Sequence, residues 1–216
     1  MHCIVTAGPT FEPLDEVRRL TNFSTGRLGS ELANFLVSRD HDVTLVLSQH
    51  ATYRGEQRAQ RVESFVTTAD LHDRLQALSN PAIDAVFHAA AVSDFVFGKI
   101  WQRSAEGELT EVKGGKLSTR QGNLLAELVS APKIIAEVRP WFPKARIIGW
   151  KYEVDGNRAD VVHAAERQIT ECLTDACVAN GPAYGAGFGM VTGDKKCAHA
   201  AEKPDLFGML ETFARK

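Results

Sequence analysis

Basic residues are not in excess: 25 Lys and Arg stand against 27 Asp and Glu, a formal net charge of −2 with no long basic block. A duplex nucleic-acid binder carries a basic face, so that class is disfavoured. A small acidic ligand is not excluded, because a local cluster of cations can hold it. Long apolar runs are missing too. None reaches the ~18–20 residues that a membrane span needs. The N-terminus begins on a strand-like "HCIVTAG" without the charged and apolar regions of a secretory signal. The four cysteines, Cys3, Cys172, Cys177 and Cys197, form no CxxC pair and have no His at metal-ligand spacing. They read as reduced core thiols in a reducing, cytoplasmic setting. No repeat, low-complexity tract or interdomain linker divides the 216 residues, and 44% hydrophobic with 24% charged content suits one domain, 1–216, with a full core.

Two signatures of nicotinamide enzymes are also missing. G-x-G-x-x-G is absent, since Gly8 is followed by Pro9 and a long insertion. Tyr-x-x-x-Lys is absent as well: Tyr53, Tyr152 and Tyr184 are followed at that spacing by Gln57, Gly156 and Phe188. An NAD(P)-dependent oxidoreductase therefore stays only as an alternative.

What is present is alternation. Residues 3–7, 42–48, 84–92 and 145–153 are short apolar runs rich in Val and Ile, the pattern of parallel strands covered on both faces; 63–68 and 175–180 are weaker examples. Between them lie helical stretches. Residues 25–39 carry Leu28, Leu32, Phe35 and Leu36 on one stripe, and 68–80 carry Leu71, Leu75 and Leu78. Residues 132–139 open with Pro132 at a first-turn position, 157–173 open with Asn157 as N-cap, and a last helix runs from Pro204 to about Arg215. The class is α/β: a doubly wound, mostly parallel Rossmann-like sheet with helices on both faces. The polar, glycine-rich stretch of about 97–123 reads as a long flap, and the chain beyond Asn180 as a Gly-interrupted antiparallel ribbon at the sheet edge.

Ligands of open α/β sheets bind beyond the carboxyl ends of the strands. The segments there are Gly8, Ser48, Ala90 to Asp94, Trp150 and Asn180. "GRLG", Gly26 to Gly29, brings main-chain N–H groups and a helix dipole to where a phosphate could rest, although a helix that merely starts after a glycine fits equally. In "AAAVSD" (89–94) three small side chains let a ligand lie against the backbone, with Asp94 either beside it or serving as a turn cap.

Taken together, "VTAGPTFEPLDEVRRLTNFSTGRLG" and "AAAVSDF" closely resemble the phosphopantothenate–cysteine ligase family, also called phosphopantothenoylcysteine synthetases. "KLSTRQGNLLAELVSAPKII" is similar to its lysine-led hairpin and following helix, "IIGWKYEVD" to a strand ending in an aromatic and an acid, and "CVAN" to its final strand. The resemblance covers nearly the whole chain and is weakest after Asn180. It implies amide formation between 4′-phosphopantothenate and cysteine on the route to coenzyme A. The acid attacks the α-phosphate of ATP or CTP with Mg²⁺ assistance, and cysteine then attacks the acyl-nucleotidyl intermediate. It also implies a homodimer whose sites are shared between subunits.

Roles follow from the same resemblance. Gly8, Ser24, Gly26 and Gly29 would hold the triphosphate, Trp150 would lie beside the base, and Asn180 would reach base or ribose. Asn22 would contact the substrate carboxylate and the acyl intermediate, Arg18 the substrate phosphate across the dimer, and Ala90, Ala91 and Asp94 the pantothenate pocket. The active-site lysine falls on Lys116 by an ungapped count from Pro132, or on Lys113 with a short gap. Departures from the family pattern are specific. Two lysines of CTP-using members correspond to Gln168 and Cys172, and the usual Asn-Pro-Asp is Ala131-Pro132-Lys133. These changes are closer to the ATP-using branch, or to a member that binds nucleotide or a pantothenate-like ligand without ligating cysteine. No segment corresponds to the flavin decarboxylase domain fused to many bacterial members, so no flavin is expected.

Overall fold

The computed structural model describes residues 1–118 and 122–216. In chain order its elements are β1 (His2–Ala7), β2 (Phe11–Pro13), β3 (Arg19–Thr21), α1 (Arg27–Val37), β4 (Asp42–Ser48), β5 (Arg61–Phe65), α2 (Thr68–Ala77), β6 (Ala85–His88), β7 (Phe95–Arg103), β8 (Leu109–Glu111), β9 (Asn123–Ser130), α3 (Ile134–Trp141), β10 (Arg146–Tyr152), α4 (Arg158–Cys172), β11 (Ala176–Asn180), β12 (Phe188–Thr192), β13 (Cys197–Ala200) and α5 (Lys203–Ala214).

Among the described residues, eight strands form the central sheet in the order β13-β12-β11-β10-β6-β1-β4-β5. The six from β11 to β5 are parallel, and β12 and β13 add an antiparallel edge. From β1 the chain winds outward through β4 and β5, returns to β6, and winds the other way. The strand order thus reverses between β1 and β6, and ligands of open α/β sheets bind outside the carboxyl ends at such a point.

Alternation along each strand divides the core. Cys3, Val5, Leu45, Phe87, Ile148 and Val178 face one side, where α1 and α5 deliver Leu32, Leu36, Leu206 and Leu210. Ile4, Val46, Val86 and Ile147 face the other, against Leu71 and Leu75 of α2 and Ile134 and Val138 of α3. Val161, Ala165 and Ile169 of α4 cover Cys177 and Ala179 on β11. Each fully buried Leu, Ile or Phe removes enough apolar surface from water to contribute about 1.5–3 kcal/mol.

Local chemistry sets the helix starts. Asn157 caps α4 in a reciprocal box with Asp160, and the Thr67 hydroxyl accepts from the Asp70 amide at 3.1 Å. Pro132 is not in the first turn of α3, which begins at Ile134 after Lys133. The 84–92 run is likewise shorter as a strand: β6 stops at His88, and Ala91 makes only an isolated bridge to Pro9. Three cysteines are core thiols, but Cys197 is exposed because it lies on the edge strand β13. The flap is largely ordered backbone: β8, β7 and β9 form a separate three-stranded antiparallel sheet. Residues 119–121 of that flap lie outside the described residues.

Candidate functional site

Three glycines meet at the carboxyl end of β1. Gly8 has φ +89°, and a Cβ there would lie 2.7 Å from Ser48 Cβ. Gly26 has φ +78°, and its Cβ would lie 3.3 Å from Gly8 Cα. At Gly29 a Cβ would come within 2.6 Å of Ala7 Cβ and 2.9 Å of the Thr6 carbonyl oxygen. These are the three uses of glycine in a dinucleotide turn: a tight turn, a close backbone approach and close helix–strand packing. Here the first is separated from the Gly-x-x-Gly of the other two by residues 9–25. Gly29 packs α1 closely against β1, and its main-chain N–H lies in the first turn of that helix. No side chain caps α1 at its Gly26 start, no acid lies in the first turn, and the Leu28 and Gly29 amides have no hydrogen-bond acceptor among the described residues. Ser24 sits directly before this start, its hydroxyl accepting from the Gly26 amide at 3.4 Å. The arrangement is open to an anion.

The insertion of residues 9–25 is a small hairpin, β2–β3, stitched to the segment after β6. Gly8 O accepts from Ala91 N at 3.0 Å, and Ala91 O accepts from Thr10 N at 3.1 Å. The Asn22 side chain donates through Nδ2 to the same Ala91 oxygen at 3.0 Å. Thr10 Oγ1 accepts from Ser93 N at 2.8 Å, and buried Glu12 accepts from Thr68 N at 3.0 Å. Asn22, Gly8, Ala90 and Ala91 are thereby brought together at the switch point. Asp94 is exposed, and its carbonyl accepts from Ala131 N at 2.9 Å, which joins this segment to the end of the flap.

Beneath the segment is a polar contact that the sequence reading missed. His88 Nδ1 lies 3.1 Å from Thr6 Oγ1, which also accepts from Ala90 N at 3.0 Å. Burial pushes His88 down to about 4, so its ring is neutral near pH 7. The available signal was Thr6, a hydroxyl inside an otherwise apolar strand and in register with His88.

The cations divide. Arg18 projects from the hairpin turn, with Nε and Nη2 on Asp15 Oδ2 at 3.0 and 2.7 Å and Nη2 also on Leu117 O at 2.6 Å. Lys113 pairs with Glu111 at 3.5 Å within the flap, whereas Lys116 is exposed and has no ion-pair partner among the described residues.

Trp150 and Asn180 lie on neighbouring strands. Trp150 is in register with Val178, so the two-residue period puts Trp150 and Asn180 on the same face, that of α1. Trp150 Nε1 and Asn180 Oδ1 are both buried and have no hydrogen-bond partner among the described residues. A buried donor and a buried acceptor left unmatched each cost free energy unless a ligand or water meets them. Trp150 is not at the strand end; Tyr152 is. Gln168 and Cys172 are buried beneath α4 on the opposite face, where the Gln168 amide donates to Cys177 Sγ at 3.3 Å over the space left by Gly149. Both positions are core in this chain and point away from the α1 side.

A glycine turn and a stitched hairpin at the switch point mark a doubly wound α/β protein with a loop-built candidate site. Residues 1–206 match the family described as the DNA/pantothenate metabolism flavoprotein C-terminal domain, and the chain belongs to that family. It is similar to the coenzyme A biosynthesis bifunctional protein CoaBC of Thermococcus kodakarensis, 30% identical over 178 residues, covering 82% of this chain and 40% of that protein. The CoaBC of Bacillus subtilis is 28% identical over 208 residues, covering 94% and 47%. The chain thus spans less than half the length of these relatives. Among solved structures, the DNA/pantothenate metabolism flavoprotein of Streptococcus pneumoniae has the same fold, with TM-score 0.84 and 24% identity, covering 100% of this chain and 98% of that one. A Cab2 variant in complex with phosphopantothenate-cysteine aligns with TM-score 0.73 at 17% identity, covering 99% and 85%.

Proposed function

We propose that this chain is a phosphopantothenate–cysteine ligase, forming an amide between 4′-phosphopantothenate and cysteine with a nucleoside triphosphate, ATP or CTP, as co-substrate. The observation that carries the reading is the Asn22 amide on Ala91 O beside the Gly8–Gly26 cradle. A carboxylate resting on the Ala90–Ala91 backbone would have an amide donor at one oxygen and the α-phosphate of a cradled nucleotide within reach of the other. Its attack forms the acyl–phosphate bond and expels pyrophosphate. Cysteine's amine then attacks the acyl carbon, the nucleoside monophosphate leaves, and the amine gives up its proton. Lys116 is the cation for the transferring phosphate, with Lys113 the lesser candidate because Glu111 already holds it.

The co-substrate fits the residues present. Gly8 and Gly26 hold the end of β1 and the start of α1 too close for side chains, leaving main-chain groups for a phosphate, and the orphaned Trp150 Nε1 and Asn180 Oδ1 are suited to a base and ribose. No group of three or more His, Cys, Asp or Glu among the described residues is arranged to hold a metal. The proposed Mg²⁺ would arrive on the triphosphate and be held largely by its phosphate oxygens.

We also read the protein as a cytoplasmic homodimer. Leu125, Leu128 and Val129 of β9 and Phe95 of β7 are exposed apolar side chains on the small sheet, whose edge strand β9 could pair with a second copy. No helix among the described residues is long and apolar enough to cross a membrane.

A second reading, binding of nucleotide or a pantothenate-like ligand without ligation, uses the same glycine turn and the unmatched Trp150 Nε1 and Asn180 Oδ1 but needs no active-site lysine. Pyrophosphate release separates the two. Release with ATP or CTP that requires both the acid and cysteine supports the ligase, and tight nucleotide binding without release supports the second reading.

A further inference from the structure

The carboxylate of Asp15 collects five donors although its side chain is 1% exposed. Oδ1 accepts from Val17 N at 2.9 Å and Arg18 N at 2.7 Å, closing the β2–β3 turn. Oδ2 accepts from Arg18 Nε at 3.0 Å, Arg18 Nη2 at 2.7 Å and, from 102 residues away, Leu117 N at 3.1 Å. Two further bonds reinforce the junction: Arg18 Nη2 to Leu117 O at 2.6 Å, and Glu16 N to Gly115 O at 2.9 Å. Leu117 is buried, while the preceding Lys116 is exposed.

We propose that Asp15 is a positioning residue that couples the flap to an anion-binding arginine, fixing Arg18 with one edge of its guanidinium engaged and the other presented to the substrate phosphate. This rests on the ligase reading above. The geometry leaves Arg18 Nη1 without a partner among the described residues, and the side chain is 41% exposed. A guanidinium gripped on its Nε/Nη2 side cannot swing, so its remaining N–H groups keep a fixed direction, which favours phosphate recognition by lowering the ordering cost. Because the same carboxylate oxygen holds Leu117, the Arg18 direction and the Lys116 segment are set together. One acid thus ties the element that carries the proposed phosphate-binding arginine to the element that bears the proposed active-site lysine. The donors around it hold the Asp15 carboxyl far below the ordinary carboxylate range despite the opposing effect of burial, so the clamp is ionised throughout neutral pH.

The test uses two readouts that need no turnover: amide hydrogen exchange of Leu117, and calorimetric affinity for phosphopantothenate relative to pantothenate. In Asp15→Asn the Leu117 amide should exchange faster and the preference for the phosphorylated ligand should fall about tenfold, the loss of a charge-assisted bond. Arg18→Lys should lose the same preference while Leu117 N, still bonded to Asp15, stays protected. Thermal melts of each variant confirm that the fold is retained. The proposal is overturned if Asp15→Asn changes neither readout, if it changes exchange alone, or if the wild-type chain shows no preference for the phosphorylated ligand. Wild-type protein with that preference and no pyrophosphate release would overturn the ligase reading and leave the coupling standing.

Discussion

Asn22 and Ala91, 69 residues apart, are joined by one hydrogen bond of 3.0 Å that runs from a side-chain amide on the inserted hairpin to a main-chain oxygen after β6. Asn22→Asp replaces the donor by a carboxylate facing that carbonyl. The variant should lose about 10²-fold in pyrophosphate release, the usual effect of removing a donor to a reacting oxyanion. Its melting temperature should hardly move, because Asn22 is exposed. Turnover equal to wild type would remove Asn22 from the reaction.

Gly29→Ala is a packing test. Its Cβ would press on Ala7 Cβ at 2.6 Å and the Thr6 carbonyl at 2.9 Å, both strand atoms that cannot swing aside. Prising α1 from β1 should cost about 1–3 kcal/mol. Denaturant unfolding should show the midpoint shift, and nucleotide titration should show weaker binding through the displaced helix start.

Introducing a cation by Gln168→Lys should not improve nucleotide affinity. The position is buried under α4 beside Cys177, on the face opposite Trp150. An ammonium there has no carboxylate partner, so we expect a loss of at least about 2 kcal/mol of stability. Tighter ATP or CTP binding in this variant would contradict the assignment of faces.

His88 gives stability a pH slope of known sign. Its pKa lies near 6.5 in the unfolded chain and about 4 in the fold, so the unfolded state binds the proton first. The stabilisation is complete above pH 6.5 and is lost as pH falls toward 4, on the order of 3 kcal/mol in all. His88→Asn, which keeps an acceptor for the Thr6 hydroxyl, should flatten that part of the stability–pH curve measured by denaturant unfolding.

Thiol titration of the native protein should give one fast-reacting group, Cys197, and three slow ones. Cys3, Cys172 and Cys177 are buried, and desolvation pushes Cys3 up to about 12. A Cys197→Ser variant should lose the fast phase.

The layered fold was readable because apolar strands and striped helices alternate in one dimension. The ends of elements were less so. Ala89–Val92 are as apolar as a strand, but their main-chain groups bond to Gly8, Thr6 and Thr10, which no local pattern reveals. The glycines at 8, 26 and 29 hid a familiar turn because 17 residues separate the first two. Arg18 and Lys116 stood out as cations, but their linkage through Asp15 and Leu117 depends on a contact spanning about a hundred positions. Gln168 and Cys172 looked like substitutions in a ligand shell, but they lie on the inner side of α4, on the face of the sheet opposite Trp150.

The backbone leaves the carboxyl end of β1 at Gly8 and returns to it at Gly26, where an added methyl would sit 3.3 Å from the departure point. The excursion is therefore a side branch whose two roots nearly touch. Its length and chemistry can vary without moving the helix or the strand, much as a tool is exchanged on a fixed handle. On the proposed reading, selection or an engineer could recast the acid that is recognised by rewriting residues 10–23 while Gly8, Ser24 and Gly26 stay as they are.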